Sequence, residues 1–227
     1  FDPEFTTNYE LALRSFWLDG RLRVNANAFY TDWTDQQVVV SLSTLQQDEI
    51  GFNVGSSSLV GFEVDATLQI DRNWSVDASL GHVQTEFDDF DAALAEAVIA
   101  AQSLTAPVDL EQTLAAFSGN QFSFAPEWTG SARIAYEGDR GLFGVLGLTY
   151  EGESFVNNSN SGSPTFLQND SRTLINFTAG WRFADDRAQI AFIARNLFDE
   201  EYVVSGGDEQ VRLGAPRQIG VRVSGSF

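Results

Sequence analysis

The stretch Val60-Gly61-Phe62-Glu63-Val64-Asp65-Ala66-Thr67-Leu68-Gln69-Ile70 decides the fold. Its even positions, Val60, Phe62, Val64, Ala66, Leu68 and Ile70, are all apolar. The odd positions between them, Gly61, Glu63, Asp65, Thr67 and Gln69, are small or polar. Successive side chains of a strand point to opposite faces, so a period of two predicts a strand with one oily side.

The same alternation recurs along the chain. Leu22, Val24, Ala26, Ala28 and Tyr30 oppose Arg23, Asn25, Asn27 and Thr31. Ile175, Phe177, Ala179, Trp181 and Phe183 oppose Asn176, Thr178, Gly180 and Arg182, and Ile219, Val221 and Val223 oppose Gln218, Arg222 and Ser224. Nine strands are expected, at roughly 7–17, 21–42, 50–70, 74–87, 124–137, 142–156, 171–183, 188–198 and 216–227. The connections alternate between short and long. Leu18-Asp19-Gly20, Asp71-Arg72-Asn73, Gly138-Asp139-Arg140-Gly141 and Ala184-Asp185-Asp186-Arg187 are tight polar turns. The long connections cover roughly 43–49, 88–123, 157–170 and 199–215. Each strand reverses direction, so short turns gather on one rim and long loops on the other, which is the plan of an outer-membrane barrel. A sandwich has no reason to sort its loops in this way. Aromatics near strand ends (Trp17, Tyr30, Trp33, Trp74, Trp128, Tyr136, Tyr150, Trp181 and Phe183) fit two interfacial girdles.

Composition alone leaves a soluble acidic β protein and a membrane barrel both open. The 227 residues carry a formal net charge of −19, and all 13 basic residues are Arg. That balance argues against a nucleic-acid partner, which needs a basic footprint. Cysteine is absent, so neither disulfides nor thiolate metal sites are available. A mean hydropathy of −0.14 reads as soluble, but barrel strands dilute their apolar face by half. The absence of Met and of any leader-like segment leads to the expectation of a processed or truncated chain.

Four ordered fragments carry a family resemblance. Asn8-Tyr9-Glu10-Leu11-Ala12-Leu13-Arg14, Asp19-Gly20-Arg21-Leu22 and Asn25-Ala26-Asn27-Ala28-Phe29-Tyr30-Thr31-Asp32 form the first. Asn53-Val54-Gly55 with Gly61-Phe62-Glu63-Val64-Asp65 is the second, Asn196-Leu197-Phe198-Asp199-Glu200-Glu201-Tyr202 the third, and Gly214-Ala215-Pro216-Arg217-Gln218-Ile219-Gly220 the fourth. Together they resemble the barrel of TonB-dependent outer-membrane receptors, with Ala12 standing where that family often has Gly. The resemblance implies an all-β fold, an antiparallel transmembrane barrel segment in which residues 1–227 supply the last nine of about 22 strands, with the plug domain and TonB box absent. It implies ligand-gated import of a scarce solute, a ferric siderophore being the commonest case, energised through TonB in the outer membrane of a Gram-negative bacterium. The partners it implies are TonB, the plug domain, outer-membrane lipid and lipopolysaccharide, and the barrel assembly machinery, which would read Phe227 as a terminal aromatic signal.

The chemistry-bearing residues are sparse. Arg14, Arg133, Arg182 and Arg195 fall on the polar parity and are the candidate ligand contacts of the lumen, since the guanidinium fork suits carboxylates and anionic chelates. Lumen salt bridges are the competing role for each, with Arg23, Glu63, Asp65, Asp77, Glu151 and Arg222 on the same parity. Glu86-Phe87-Asp88-Asp89-Phe90-Asp91 opens the longest loop as a solvated acidic run rather than a spaced cation site. Asp91 is placed to cap a helix through Ala92–Leu104. The sole histidine, His82, has no second ligand of its kind nearby, and no metal site, cofactor or catalytic motif is expected. Two other readings remain: a passive porin-like or structural barrel, and a soluble acidic β-sandwich.

Overall fold

A computed structural model describes residues 2–41, 49–53, 55–89, 118–156, 168–185, 187–206 and 211–225. Every regular element among them is a strand: β1 (Phe5–Trp17), β2 (Leu22–Thr34), β3 (Gln37–Ser41), β4 (Glu49–Asn53), β5 (Ser56–Gln69), β6 (Trp74–Asp89), β7 (Trp128–Glu137), β8 (Leu142–Glu151), β9 (Ser154–Phe155), β10 (Gln168–Asn169), β11 (Arg172–Phe183), β12 (Ala188–Arg195), β13 (Val203–Gly206), β14 (Val211–Leu213) and β15 (Gln218–Gly225). Nine of them form one antiparallel sheet in the order β1-β2-β5-β6-β7-β8-β11-β12-β15. The other six pair off as small hairpins, β3 with β4, β9 with β10 and β13 with β14.

The nine expected strands are therefore present, and the hairpins are what the sequence did not announce. The span read as one strand over 21–42 breaks after Thr34, where Asp35 takes a φ of 54° and the Gln36 side chain turns back to the Ser57 hydroxyl. Its partner breaks at Gly55, with a φ of 94°. The acidic run opening the longest connection continues β6 as far as Asp89 instead of leaving the sheet. There Phe87 is 1% exposed against Phe122, and Phe122 N donates to Thr85 Oγ1 at 3.0 Å. Phe90, Asp91, the helix expected over Ala92–Leu104 and Phe227 lie outside the described residues.

Cross-strand register shows the two faces directly. One row runs across all nine strands as Trp17, Leu22, Leu68, Val76, Ile134, Leu146, Phe177, Ala194 and Ile219, apolar without exception. The adjacent row holds Arg23, Thr67, Asp77, Arg133 and Asn176. A shift of one residue on any strand would exchange the faces, so nine strands in step are a strong specification. No second sheet packs on the apolar face among the described residues, and its side chains stand open, with Leu11 79%, Val221 66% and Val223 71% exposed. A patch of that extent is a liability in water but is matched by hydrocarbon. A sandwich would have covered it.

Aromatics mark both ends of the apolar face. At the short-turn rim Trp74 lies 4.8 Å from Tyr136, and Trp181 lies 5.6 Å from Phe183 while its Nε1 donates to Arg140 O at 2.7 Å. At the long-loop rim stand Tyr9 with Tyr30 and the trio Phe62, His82 and Trp128. Trp33 does not belong to this girdle. Its register partners Thr6 and Ser57 put it on the polar face, edge-on to Phe122. The short turns are closed by local chemistry. Asp71 Oδ1 accepts from Asn73 N at 2.8 Å and Trp74 N at 2.9 Å, and Gly141, at a φ of 79°, sits where a Cβ would strike the Arg182 carbonyl.

Candidate functional site

Anything passing along this wall meets its polar face, which changes character from one edge to the other. On β1–β6 it is a carboxylate and amide surface. Asn25 Nδ2 donates to Asp65 Oδ2 at 3.1 Å, Asn27 Nδ2 to Glu63 Oε2 at 3.4 Å, and Arg23 NH2 to Thr67 Oγ1 at 3.2 Å. Arg14 projects from β1 into a shallow groove of about 180 Å³ that it shares with Glu10, Asn25, Asn27, Glu63 and Asp65.

In the middle of the wall Arg133 and Asp77 form an ion pair at 2.9 Å, directly opposite one another on β7 and β6. Both remain substantially open to solvent. Towards the short-turn rim Arg182 forks onto Glu137, its NH1 and NH2 reaching the two carboxylate oxygens at 2.5 and 3.0 Å. Its guanidinium also stacks 4.4 Å over the Phe143 ring. That ring lies where a Gly180 side chain would be, so the glycine makes room for the stack.

Arg195 and Arg222 border a wider groove of about 550 Å³ with Asn176, Gln189, Phe143 and Arg182. Neither has a carboxylate within ion-pair distance among the described residues. The four arginines singled out by parity are thus separated into three settings: Arg14 with acidic neighbours, Arg133 in its ion pair, and Arg182 with Arg195 in the basic groove. The same parity holds two further partners, Glu137 and Arg172. Glu137 shares the face of Arg133, four residues away, and Arg172 shares that of Arg182.

Arg172 governs the long-loop rim. Its NH2 pairs with Glu151 at 2.5 Å, its NH1 donates to Val203 O at 3.1 Å, and its guanidinium lies 4.8 Å over the Tyr202 ring. Those contacts draw the start of the last long loop onto the polar side of the wall. The loop's base is closed by the third and fourth sequence fragments. Asn196, at a φ of 47° and 5% exposed, donates from Nδ2 to Glu200 O and Ala215 O and accepts at Oδ1 from Glu200 N. Asp199 Oδ1 accepts from Arg217 N at 2.7 Å. Asn tolerates the left-handed conformation and caps the freed backbone with its own amide. His82 has no lumen position: it stacks on Phe62 at 5.5 Å and meets Trp128 at 4.4 Å on the apolar face.

Comparison with known proteins agrees with this architecture. The family model described as TonB dependent receptor-like, beta-barrel, matches residues 1–197. Among solved structures, the ferric yersiniabactin uptake receptor of Yersinia pestis is 20% identical with a TM-score of 0.72, over 99% of this chain and 30% of its own. The unliganded ferric citrate transporter gives 18% and 0.72 over 98% and 31%, and the closed ferric-catecholate import receptor of E. coli K12 gives 18% and 0.71 over 100% and 28%. The chain spans less than a third of the length of these structures, and at such identities the likeness speaks for the fold. Taken with the match over most of its length, the one-sided nine-strand wall makes this chain a member of the TonB-dependent receptor β-barrel family.

Proposed function

We propose that this chain forms the C-terminal part of the barrel wall of an outer-membrane receptor that imports a ferric siderophore, with transport energised through TonB. The observation that carries the reading is the pairing of an outward face that is apolar across the middle of all nine strands with a charged inward face, over strands whose long connections share one rim. Lipid takes the first face, and the second lines the path of a polar solute. The named ligands of the structural neighbours, ferric yersiniabactin, ferric citrate and ferripyoverdine, support an iron chelate as cargo. Such chelates suit a wall on which Arg195 and Arg222 have no carboxylate at ion-pair distance among the described residues.

In this reading Arg195 and Arg222, with Arg182 held by Glu137, supply positive potential to an anionic chelate or to acidic groups of the domain filling the barrel. Arg14 and Arg133 are largely neutralised by their neighbours. The remaining strands and the plug domain complete the lumen, and Phe227 is the terminal aromatic read by the assembly machinery. The wall carries out binding and passage only; no chemical step is assigned to it.

The test is uptake of radiolabelled iron by iron-starved cells that carry the whole receptor as their one route for a given siderophore. Uptake is expected to stop when TonB is deleted or the proton gradient is collapsed. Uptake persisting unchanged under both treatments would favour the passive porin-like barrel. Remaining monodisperse in buffer without detergent would rule out both barrel readings.

A further inference from the structure

The hairpin of β13 and β14 rises from a fixed base and is then tied to the wall at one point. Asn196 and Asp199 hold the base through their bonds to Glu200, Ala215 and Arg217. Beyond it the two strands pair only with each other. Among the described residues, the one hydrogen bond from the wall to either strand runs from Arg172 NH1 to Val203 O. We propose that Arg172 is a positioning residue, a latch that keeps this hairpin against the inner wall in the ligand-free receptor and thereby sets how tightly cargo is captured.

Three features converge on that tie. Arg172 and Glu151 form the outermost pair of the β8–β11 ladder, so the guanidinium divides between a wall carboxylate and a loop carbonyl. The Tyr202 ring lies 4.8 Å from that guanidinium and also meets Gly214, where a Cβ would strike it. Glycine is what lets the ring settle at the foot of the hairpin. The hairpin's own ladder shifts register between Val203 and Ser205, beside the carbonyl that Arg172 takes.

The tie rests on charge and one ring. Val204, Val211 and Leu213 remain exposed, so they add little burial against the wall. Such a contact can open locally while the large sheet keeps its ladders. Arg172 already has Glu151, whereas Arg195 and Arg222 have no carboxylate at ion-pair distance among the described residues. Its part is therefore to place the hairpin, and theirs to meet the cargo. A hairpin already in place loses less freedom when ligand binds, and the difference appears as affinity.

The effect on capture rests on the import reading, whereas the latch itself is read without ligand, so the two fail separately. The chain has no Cys, so a single nitroxide can be placed at Val204→Cys in the whole receptor, with any cysteine elsewhere replaced. In a parallel sample, Val221→Cys on β15 reports on the wall. Without ligand, Arg172→Gln and Gly214→Ala are each expected to raise the mobile fraction of the Val204 spectrum about threefold or more. Both should leave the Val221 spectrum unchanged. Gly214→Ala removes no charge, so a purely electrostatic role for Arg172 does not predict its effect. In uptake of an anionic ferric ligand, both variants should raise KM about three- to tenfold with the maximal rate unchanged. If Gly214→Ala fails the heat-modifiability check for a folded barrel, Glu151→Gln takes its place. An unchanged Val204 spectrum in folded Arg172→Gln overturns the latch, and a freed hairpin with an unchanged KM overturns its part in capture.

Discussion

The β1–β6 half of the polar face and the β7–β15 half are built on the same alternation yet present opposite chemistry. The first carries Glu10, Glu63, Asp65 and Asp77 against Arg14 and Arg23, with asparagines between them. The second carries Arg133, Arg172, Arg182, Arg195 and Arg222 against Glu137 and Glu151, set among Phe143, Val145, Ala191 and Ile193. A chain with a net charge of −19 has therefore gathered five of its 13 basic residues on one surface of one half. The lesson is that net charge describes solubility, while the local excess decides what the wall can hold.

The largest effect should separate the corners of the two halves. Asn196 is buried and makes three side-chain hydrogen bonds in a left-handed corner, so Asn196→Ala is expected to cost about 2–3 kcal/mol of stability. Asn53 makes comparable bonds to Asp2 O and Asp35 O at an exposed corner, and Asn53→Ala should cost about 1 kcal/mol or less. Urea unfolding of the detergent-solubilised receptor measures both, and equal losses would break the distinction. Next comes the basic groove. Arg195→Glu with Arg222→Glu is expected to raise the KM for an anionic ferric ligand about tenfold or more, since like charges are brought together. An unchanged KM would show that the groove faces something other than cargo.

Smaller differences test the ion pairs. Arg182 gains a fork and a ring stack where Arg133 has one oxygen contact. Arg182→Ala should cost about 1 kcal/mol and Arg133→Ala about half that, both shrinking in high salt. The reverse order in thermal unfolding would mean that the middle of the wall, not its short-turn rim, is electrostatically tuned.

Period two and the sorted connections made the nine strands and their faces legible, because burying or exposing one whole side leaves a mark at every second residue. The hairpins β3–β4 and β13–β14 left a weaker mark. Thr34-Asp35-Gln36 contains neither Gly nor Pro, so the break at Asp35 depends on a backbone twist and a side-chain bond across 21 residues to Ser57. Residue type groups Trp33 with the girdle, although its odd number on β2 puts it inside. Of the site, parity gives the direction of each arginine but not its partner. Arg133 meets Asp77 only because β6 and β7 align in one register, 56 residues apart. That alignment is a property of two strands together.

Every strand of the large sheet pairs with the next one available along the chain, skipping only the hairpins within the long connections. Such a meander gives evolution two different materials at its two rims. Lengthening a long connection adds closure entropy only logarithmically, about 0.6 kcal/mol for each doubling. A short turn such as Asp71-Arg72-Asn73, where one carboxylate oxygen accepts two backbone N–H groups, has no slack for insertion. New recognition surfaces can therefore accumulate on one side of the membrane while the scaffold below them stays constant.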